Sequence, residues 1–182
     1  MVVIIHGGRA GWQACETLRM GGWARRWARR HLRLVMNLWP PLLFAGIRIT
    51  RLDRDLRAVD VELRMHGWNR NYVGTHFGGS LYSMTDGFFM IMLLENLNAA
   101  GKRATPREKY IVWDKAATIR YRRPGRGTVR AQFRLSEAEV EEIRAALAVT
   151  PKLERTFQVA VLDRDGATVA EVEKVLHFRR AE

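Results

Sequence analysis

The sequence predicts an α+β fold in which an antiparallel sheet of about five to six strands curls around one central apolar helix. Three observations predict it. The stretch Phe77–Leu97 is the longest apolar run, and Phe88, Phe89, Met90, Ile91, Met92, Leu93 and Leu94 leave it no wet face; such a helix must be surrounded. The segments on both sides alternate apolar and polar residues with the period of half-buried strands. The order runs from two strands through the apolar helix to about four more strands, and an antiparallel sheet can bury a helix on its inner face while its outer face stays wet.

From the N-terminus, residues 1–22 are punctuated by Gly7, Gly8, Gly11, Gly21 and Gly22 and carry no period. They read as a disordered extension, and Met20 is an alternative start. Residues 23–39 read as a basic amphipathic helix. Trp23, Trp27, His31, Leu34 and Leu38 fall on one face, Arg25, Arg26, Arg29, Arg30 and Arg33 on the other, and Pro40 and Pro41 are expected to stop it. The favoured reading packs this helix across its own domain with a solvated arginine face; the other makes it a membrane-surface or partner helix. The main domain spans 40–180. Ile47–Leu52 is a short strand, and Asp53-Arg54-Asp55 the turn after it. Val59, Val61, Leu63 and Met65 alternate with Asp60, Glu62 and Arg64. The apolar helix is expected from Gly78 to Asn98, with a polar linker over 99–109. Tyr110–Tyr121 reads as a strand ended by Pro124-Gly125-Arg126-Gly127, and Val129, Ala131, Phe133 and Leu135 mark the next. Ser136 and Glu139 form a capping box for a short helix with Val140, Ile143 and Leu147 on one face. Phe157, Val159 and Val161 alternate, Asp165-Gly166 signals a hairpin, and Thr168–Phe178 closes the domain.

Composition narrows the function classes. The 182 residues suit one domain, and 47% hydrophobic content supplies a core. A single cysteine, Cys15, excludes an internal disulfide framework and fits a reducing, cytoplasmic setting. Lys+Arg 31 against Asp+Glu 19 gives a net charge of +12. The excess gathers before Ile47 and around Arg120–Arg130, without the aromatic interleaving or zinc and helix-turn-helix signatures of nucleic-acid binders. A membrane span over 77–97 would hold Asp86 near the bilayer centre at about 2.5–3.5 kcal/mol, so a buried helix is the better reading. No metal or cofactor is implied.

The segment that carries chemistry is Asn71–Asp86. Gly78 and Gly79 stand at the helix entrance, where a substrate can approach the backbone closely and the first amides have no intrahelical acceptor. Those donors, at the positive end of the helix dipole, can hold the oxygen of a polarised thioester carbonyl. Asp86 lies about two turns deeper and is expected to be buried among Met84, Phe88 and Phe89. An idle carboxylate there would be costly, so it is a candidate nucleophile or general base. A structural carboxylate paired with a basic side chain is the alternative. His76 reads as a loop hydrogen-bonding residue or a base. Tyr82 and Met84 read as core or acyl-pocket wall, and Asp114 and Lys115 as a strand pair or pocket residues. Arg122, Arg123 and Arg126 read as a solvated turn or as holders of coenzyme A phosphates.

This segment resembles the helix-entry motif of hotdog-fold thioesterases of the phenylacetate-pathway type: an asparagine, a glycine-containing loop, His-Gly-Gly, and an aspartate on the helix. Gly78, Gly79 and Asp86 match in spacing, and Asn71 fits the upstream asparagine. Residues 39–179 also resemble a bacterial hotdog family of tetrameric acyl-CoA thioesterase-like proteins, through Trp68–Thr75, Phe77–Tyr82 and Tyr110–Lys115. The resemblance implies Asp86 as the catalytic carboxylate, Gly79 as oxyanion donor, Asn71 as the residue positioning thioester or water, and a site shared between subunits of a homodimer or homotetramer. Gly78, His76, Phe77, Tyr82, Arg122 and Arg123 would contact substrate. The pattern departs at Phe77, which occupies the histidine position, with His76 one residue early. The expected function is hydrolysis of a hydrophobic acyl-CoA; the alternatives are a non-catalytic acyl-CoA or lipid-binding hotdog protein, a hydroxyacyl dehydratase, and a membrane-associated adaptor using the N-terminal helix.

Overall fold

A computed structural model describes residues 31–98 and 110–181. The expected extension over 1–22, the helix residues Trp23–Arg30 and the linker 99–109 lie outside the described residues. The elements are α1 (Leu32–Asn37), α2 (Pro40–Ala45), β1 (Ile47–Leu52), β2 (Ala58–Arg64), a short 3₁₀ turn (Gly67–Asn69), α3 (Gly78–Ser83), α4 (Phe88–Leu97), β3 (Tyr110–Tyr121), β4 (Thr128–Arg134), α5 (Glu137–Val149), β5 (Lys152–Leu162) and β6 (Thr168–Arg180). The six strands form one antiparallel sheet in the order β1-β2-β4-β5-β6-β3.

Alternation sets which side chains face inward. Val59, Val61 and Leu63 of β2, Val129, Ala131 and Phe133 of β4, Phe157, Val159 and Val161 of β5, and Val172, Leu176 and Phe178 of β6 are buried against α4. Phe88 and Phe89 both meet Phe133, at centroid separations of 5.0 and 5.1 Å, and Phe89 also meets Phe157 at 5.0 Å. Truncating Phe133 to alanine would cost about 3–5 kcal/mol, the range for a close-packed aromatic. The β4–β5 seam is short, pairing Arg130 with Leu162 and Ala131 with Val161. Buried Asn96 on α4 donates to the carbonyls of Asp55, Leu56 and Met92, fixing the β1–β2 turn to the central helix. The capping box forms as expected: the Glu139 amide donates to Ser136 Oγ, and Glu139 accepts from the Ser136 amide.

Two expectations need correction. Pro40 and Pro41 do not simply end a helix; they open α2 at its first two positions, where a missing N–H loses nothing. The apolar face read over 23–38 is not packed in its described part, since Leu34 and Leu38 are exposed. What docks α1 is Asn37, whose side chain donates to the Ile49 carbonyl at 3.1 Å and accepts from the Ile49 amide at 2.7 Å on the edge strand.

The central helix is also interrupted where the sequence predicts continuity. Met84–Gly87 separates α3 from α4, and Gly87 adopts φ +77°, a conformation that favours glycine. Hydroxyl groups compete for the helical carbonyls here: Ser83 Oγ donates to the Gly79 carbonyl at 2.8 Å and Thr85 Oγ1 to the Tyr82 carbonyl at 2.7 Å. The amides of Thr85 and Asp86 tighten onto the carbonyls three residues back, so the helix unwinds just before the glycine.

Candidate active site

The interruption places Asp86 differently from expectation. Met84, Phe88 and Phe89 are buried, but the side chain of Asp86 is 54% exposed in the single chain. One carboxylate oxygen accepts a 2.6 Å hydrogen bond from Lys174 Nζ. Lys174 is 1% exposed and stands in β6 at the inward position between Val172 and Leu176. Its ammonium also lies 3.3 Å from Asp114 Oδ1 and 5.3 Å over the ring of Tyr82. Asp114 reaches it because a β-bulge between Asp114 and Ala116 shifts the β3–β6 register.

Two opposed effects act on this cluster. Burial pulls the Lys174 ammonium toward neutrality, yet the Asp86 hydrogen bond and the charges of Asp114 and Asp86 outweigh it and raise its pKa. Burial pushes the Asp114 carboxyl above its ordinary range, and Asp86 adds to this, against the pull of Lys174 and the Gly87 amide. One cation serves two carboxylates: Asp86 holds the close bond, while Asp114 Oδ1 lies 3.3 Å from the ammonium without a hydrogen bond. The sequence signal for Lys174 was a charged residue at an inward position of a period-2 strand; reading the strand as merely the last of the domain missed it.

A second polar site lies on the loop side of α3. Asn71, Thr75, His76, Gly78, Tyr121, Arg122 and Arg123 border a pocket of about 470 Å³, which gathers five of the residues singled out in the sequence. Most of their polar groups are already committed. Asn71 Oδ1 accepts from the Thr75 amide at 2.9 Å, and its Nδ2 donates to Thr75 Oγ1 at 2.7 Å and the His76 carbonyl at 3.3 Å. His76 is 2% exposed, with Nε2 2.9 Å from the Gly127 carbonyl and no partner for Nδ1, so Nε2 carries the proton and the ring is neutral. Burial lowers its pKa below the ordinary 6.5. Arg122 pairs with Glu171 at 2.7 Å, and Arg123 lies 3.9 Å from Asp163.

At the helix entrance, the Ser80 and Leu81 amides donate to the Phe77 carbonyl, so the amides of Gly78 and Gly79 precede the first intrahelical donor. Tyr121 donates to the Gly78 carbonyl at 3.0 Å. Phe77, half exposed, rests its ring on Gly79: a Cβ there would lie 2.4 Å from Phe77 Cε1, so any side chain at this position would displace the ring. The expected strand pair Asp114–Lys115 does not form, since Lys115 bonds Glu154 at 2.6 Å across the sheet and Asp114 faces Lys174. Asp86 does not border the pocket that His76 borders, so the pairing of those two groups around one substrate carbon, needed for a dehydratase, has no support in this arrangement.

An antiparallel sheet rolled around a central helix, with a glycine pair at its entrance and an acid further along, defines the hotdog class. The chain belongs to the family termed Domain of unknown function (DUF4442), which matches residues 28–178. No curated protein matches it. Among solved structures it is similar to PA5026 of Pseudomonas aeruginosa, a protein of unknown function termed a probable thioesterase, at 23% identity and TM-score 0.69 over 86% of this chain and 96% of that one. It is also similar to the E. coli PaaI protein from the phenylacetic acid degradation operon, at 16% identity and TM-score 0.53 over 87% and 95% of the two chains. A third likeness is to the thioesterase HI1161 of Haemophilus influenzae, at 10% identity and TM-score 0.54 over 82% and 88%.

Proposed function

We propose that this protein hydrolyses the thioester of a hydrophobic acyl-CoA, with Asp86 as the reacting carboxylate. The observation that carries the reading is the placement of Asp86: an outward carboxylate at a break in the central helix, gripped from inside by a fully buried lysine. A surface aspartate needs no such partner, and a structural ion pair needs no outward face. As general base, Asp86 takes a proton from water while the water oxygen bonds to the thioester carbon. The carbonyl electrons move onto oxygen, where the Gly79 amide donates to them. Collapse of that intermediate breaks the carbon–sulfur bond, and the proton passes from Asp86 to the departing thiolate, leaving a carboxylic acid and free CoA. Lys174 keeps the carboxylate oriented between these transfers. An exposed carboxylate suits a site completed by a second subunit. Asn71 acts by holding the 71–76 loop in shape, and Arg122 and Arg123, on the pocket beside that loop, are the candidates for binding CoA phosphates.

One observation favours a second reading, non-catalytic acyl-CoA binding: the Phe77 ring lies against Gly79, next to the proposed oxyanion donor. A panel of acyl-CoAs monitored for thiol release separates the two. Turnover that rises with acyl hydrophobicity is expected; tight binding of a non-hydrolysable acyl-CoA without any thiol release would establish the second reading instead.

A further inference from the structure

The helix break carries one more acid than an ion pair needs. Lys174 is closed off from solvent, and Asp86 already accepts a 2.6 Å hydrogen bond from it. A second carboxylate, Asp114, nevertheless comes from β3 to within 3.3 Å of the same ammonium. Its side chain is mostly buried, and its Oδ1 atom makes no hydrogen bond. Tyr110 and Val112, the two inward residues before it on the strand, belong to the core. The alternation therefore calls for another core side chain where Asp114 stands.

Stability alone gives no reason for this arrangement. A buried carboxylate oxygen without a hydrogen bond has lost its hydration for nothing, and a second anion near the first repels it. An apolar residue would avoid both costs. The groups that face Asp114 are Lys174 from β6 and, from the helix break, Asp86 and the Gly87 amide, while Tyr82 on α3 lies across the Lys174 ammonium. Among these groups Lys174 is the single cation. The two carboxylates sense each other: burial first, and the Asp86 charge after it, raise the Asp114 pKa against the pull of Lys174. The chemistry proposed for Asp86 supplies the missing reason. Asp86 alternates there between carboxylate and carboxylic acid, and in its neutral form it no longer balances Lys174. A buried ammonium with no anion beside it would be strongly disfavoured.

We propose that Asp114 is a positioning residue for the hydrolysis: the standing counter-ion that keeps Lys174 charged and directed at Asp86 while Asp86 takes up and returns its proton. The inference rests on Asp86 as the reacting carboxylate. Asp114 touches no substrate and acts through Lys174. With two carboxylates around one ammonium, the cluster keeps a negative charge in excess. It therefore draws a proton from water more readily than a one-to-one pair would. Once Asp86 is protonated, Asp114 still balances Lys174, so the lysine stays in place and the acid remains aimed at the departing thiolate.

The test follows thiol release from an acyl-CoA against pH for the native chain, Asp114→Asn and Asp114→Glu. Asp114→Asn is expected to lower kcat about tenfold, as for a base that is present but poorly held, and to leave KM unchanged. It also moves the acid limb of kcat/KM to lower pH by about one unit, the lower end for the loss of a neighbouring charge. Asp114→Glu keeps the charge and restores most of kcat together with the native limb. A purely structural Asp114 would change the urea midpoint of Asp114→Asn but neither kcat in the folded fraction nor the limb, and that result overturns the inference. Asp86→Asn separates this role from the reading beneath it. Thiol release lost in Asp86→Asn but native in rate and pH limb in Asp114→Asn removes only the role of Asp114; native turnover in Asp86→Asn removes both. If Asp114→Asn does not fold, a carbon-13 NMR titration of the Asp114 carboxyl decides: its midpoint is lower in Asp86→Asn than in the native chain, and an unchanged midpoint overturns the inference.

Discussion

In the loop from Asn71 to His76 the polar side chains turn inward onto backbone, whereas at Met84–Gly87 the one carboxylate turns outward and the polar partner is hidden behind it. Asn71 makes three hydrogen bonds to its own loop, and His76 places its only N–H on Gly127. At the break, Lys174 does the reverse: it is the most enclosed cation of the described residues, and it holds a carboxylate that stays half in water. The lesson is that polar residues gathered near a pocket are not equally available. Groups whose donors and acceptors are matched locally hold shape, and a group with an unmatched outward side is the one able to meet a substrate.

Among substitutions of these polar groups, the largest expected effect on the fold comes from Lys174→Met. Removing one partner of a buried ion pair can cost 3–5 kcal/mol; here about 2 kcal/mol is expected, because Asp86 can turn fully to water and Asp114 can take up a proton. Turnover should fall as well, since Asp86 loses its orientation, and Lys174→Arg should restore part of it. A urea midpoint unchanged in Lys174→Met would break the picture of Lys174 as the anchor. Next is Asn71→Ala, which leaves the Thr75 amide and hydroxyl without their partner and should lower stability by about 1–2 kcal/mol. Its kcat should stay near native in the folded fraction. A kcat loss with no change in stability would move Asn71 from the loop into the chemistry.

The smallest effect concerns pH. His76 is neutral in the folded chain with its pKa lowered, while the unfolded chain titrates near the ordinary 6.5. The unfolded state therefore binds more protons in the window between those values. Stability should be level above about pH 6.5 and decline as pH falls from there toward the folded value. His76→Gln should flatten that decline, measured as the difference in urea midpoint on either side of the window. An equally steep decline in the variant would assign it to other groups.

Much of the roll was legible because period-2 alternation survives in β2, β4 and β5 without interruption, and because Phe88–Leu94 has no polar side to expose. The capping box and the Asp165-Gly166 turn were legible for the same reason: their chemistry is local. Gly166 adopts φ +79° as that turn requires. What stayed hidden depended on competition or on distance in sequence. The break before Gly87 arises from Ser83 and Thr85 hydroxyls outbidding a helix that the apolar pattern favours. Pro40 and Pro41 suit the first turn of a helix as well as the end of one, and pattern alone does not choose. Lys174 and Asp86 are 88 residues apart. Only the register of β6 against β3 and the unwinding at 84–87 bring them together.

The central claim is that the outward carboxylate at the break performs the hydrolysis, and Asp86→Asn tests it most directly. Asparagine keeps the shape and can still accept from Lys174, and Asp114 remains beside the ammonium, so the unfolding free energy should fall by no more than about 2 kcal/mol. The rate of CoA thiol release should fall by at least about 10²-fold, the lower end for loss of a positioned base. A folded Asp86→Asn protein that releases thiol at the native rate would contradict the account.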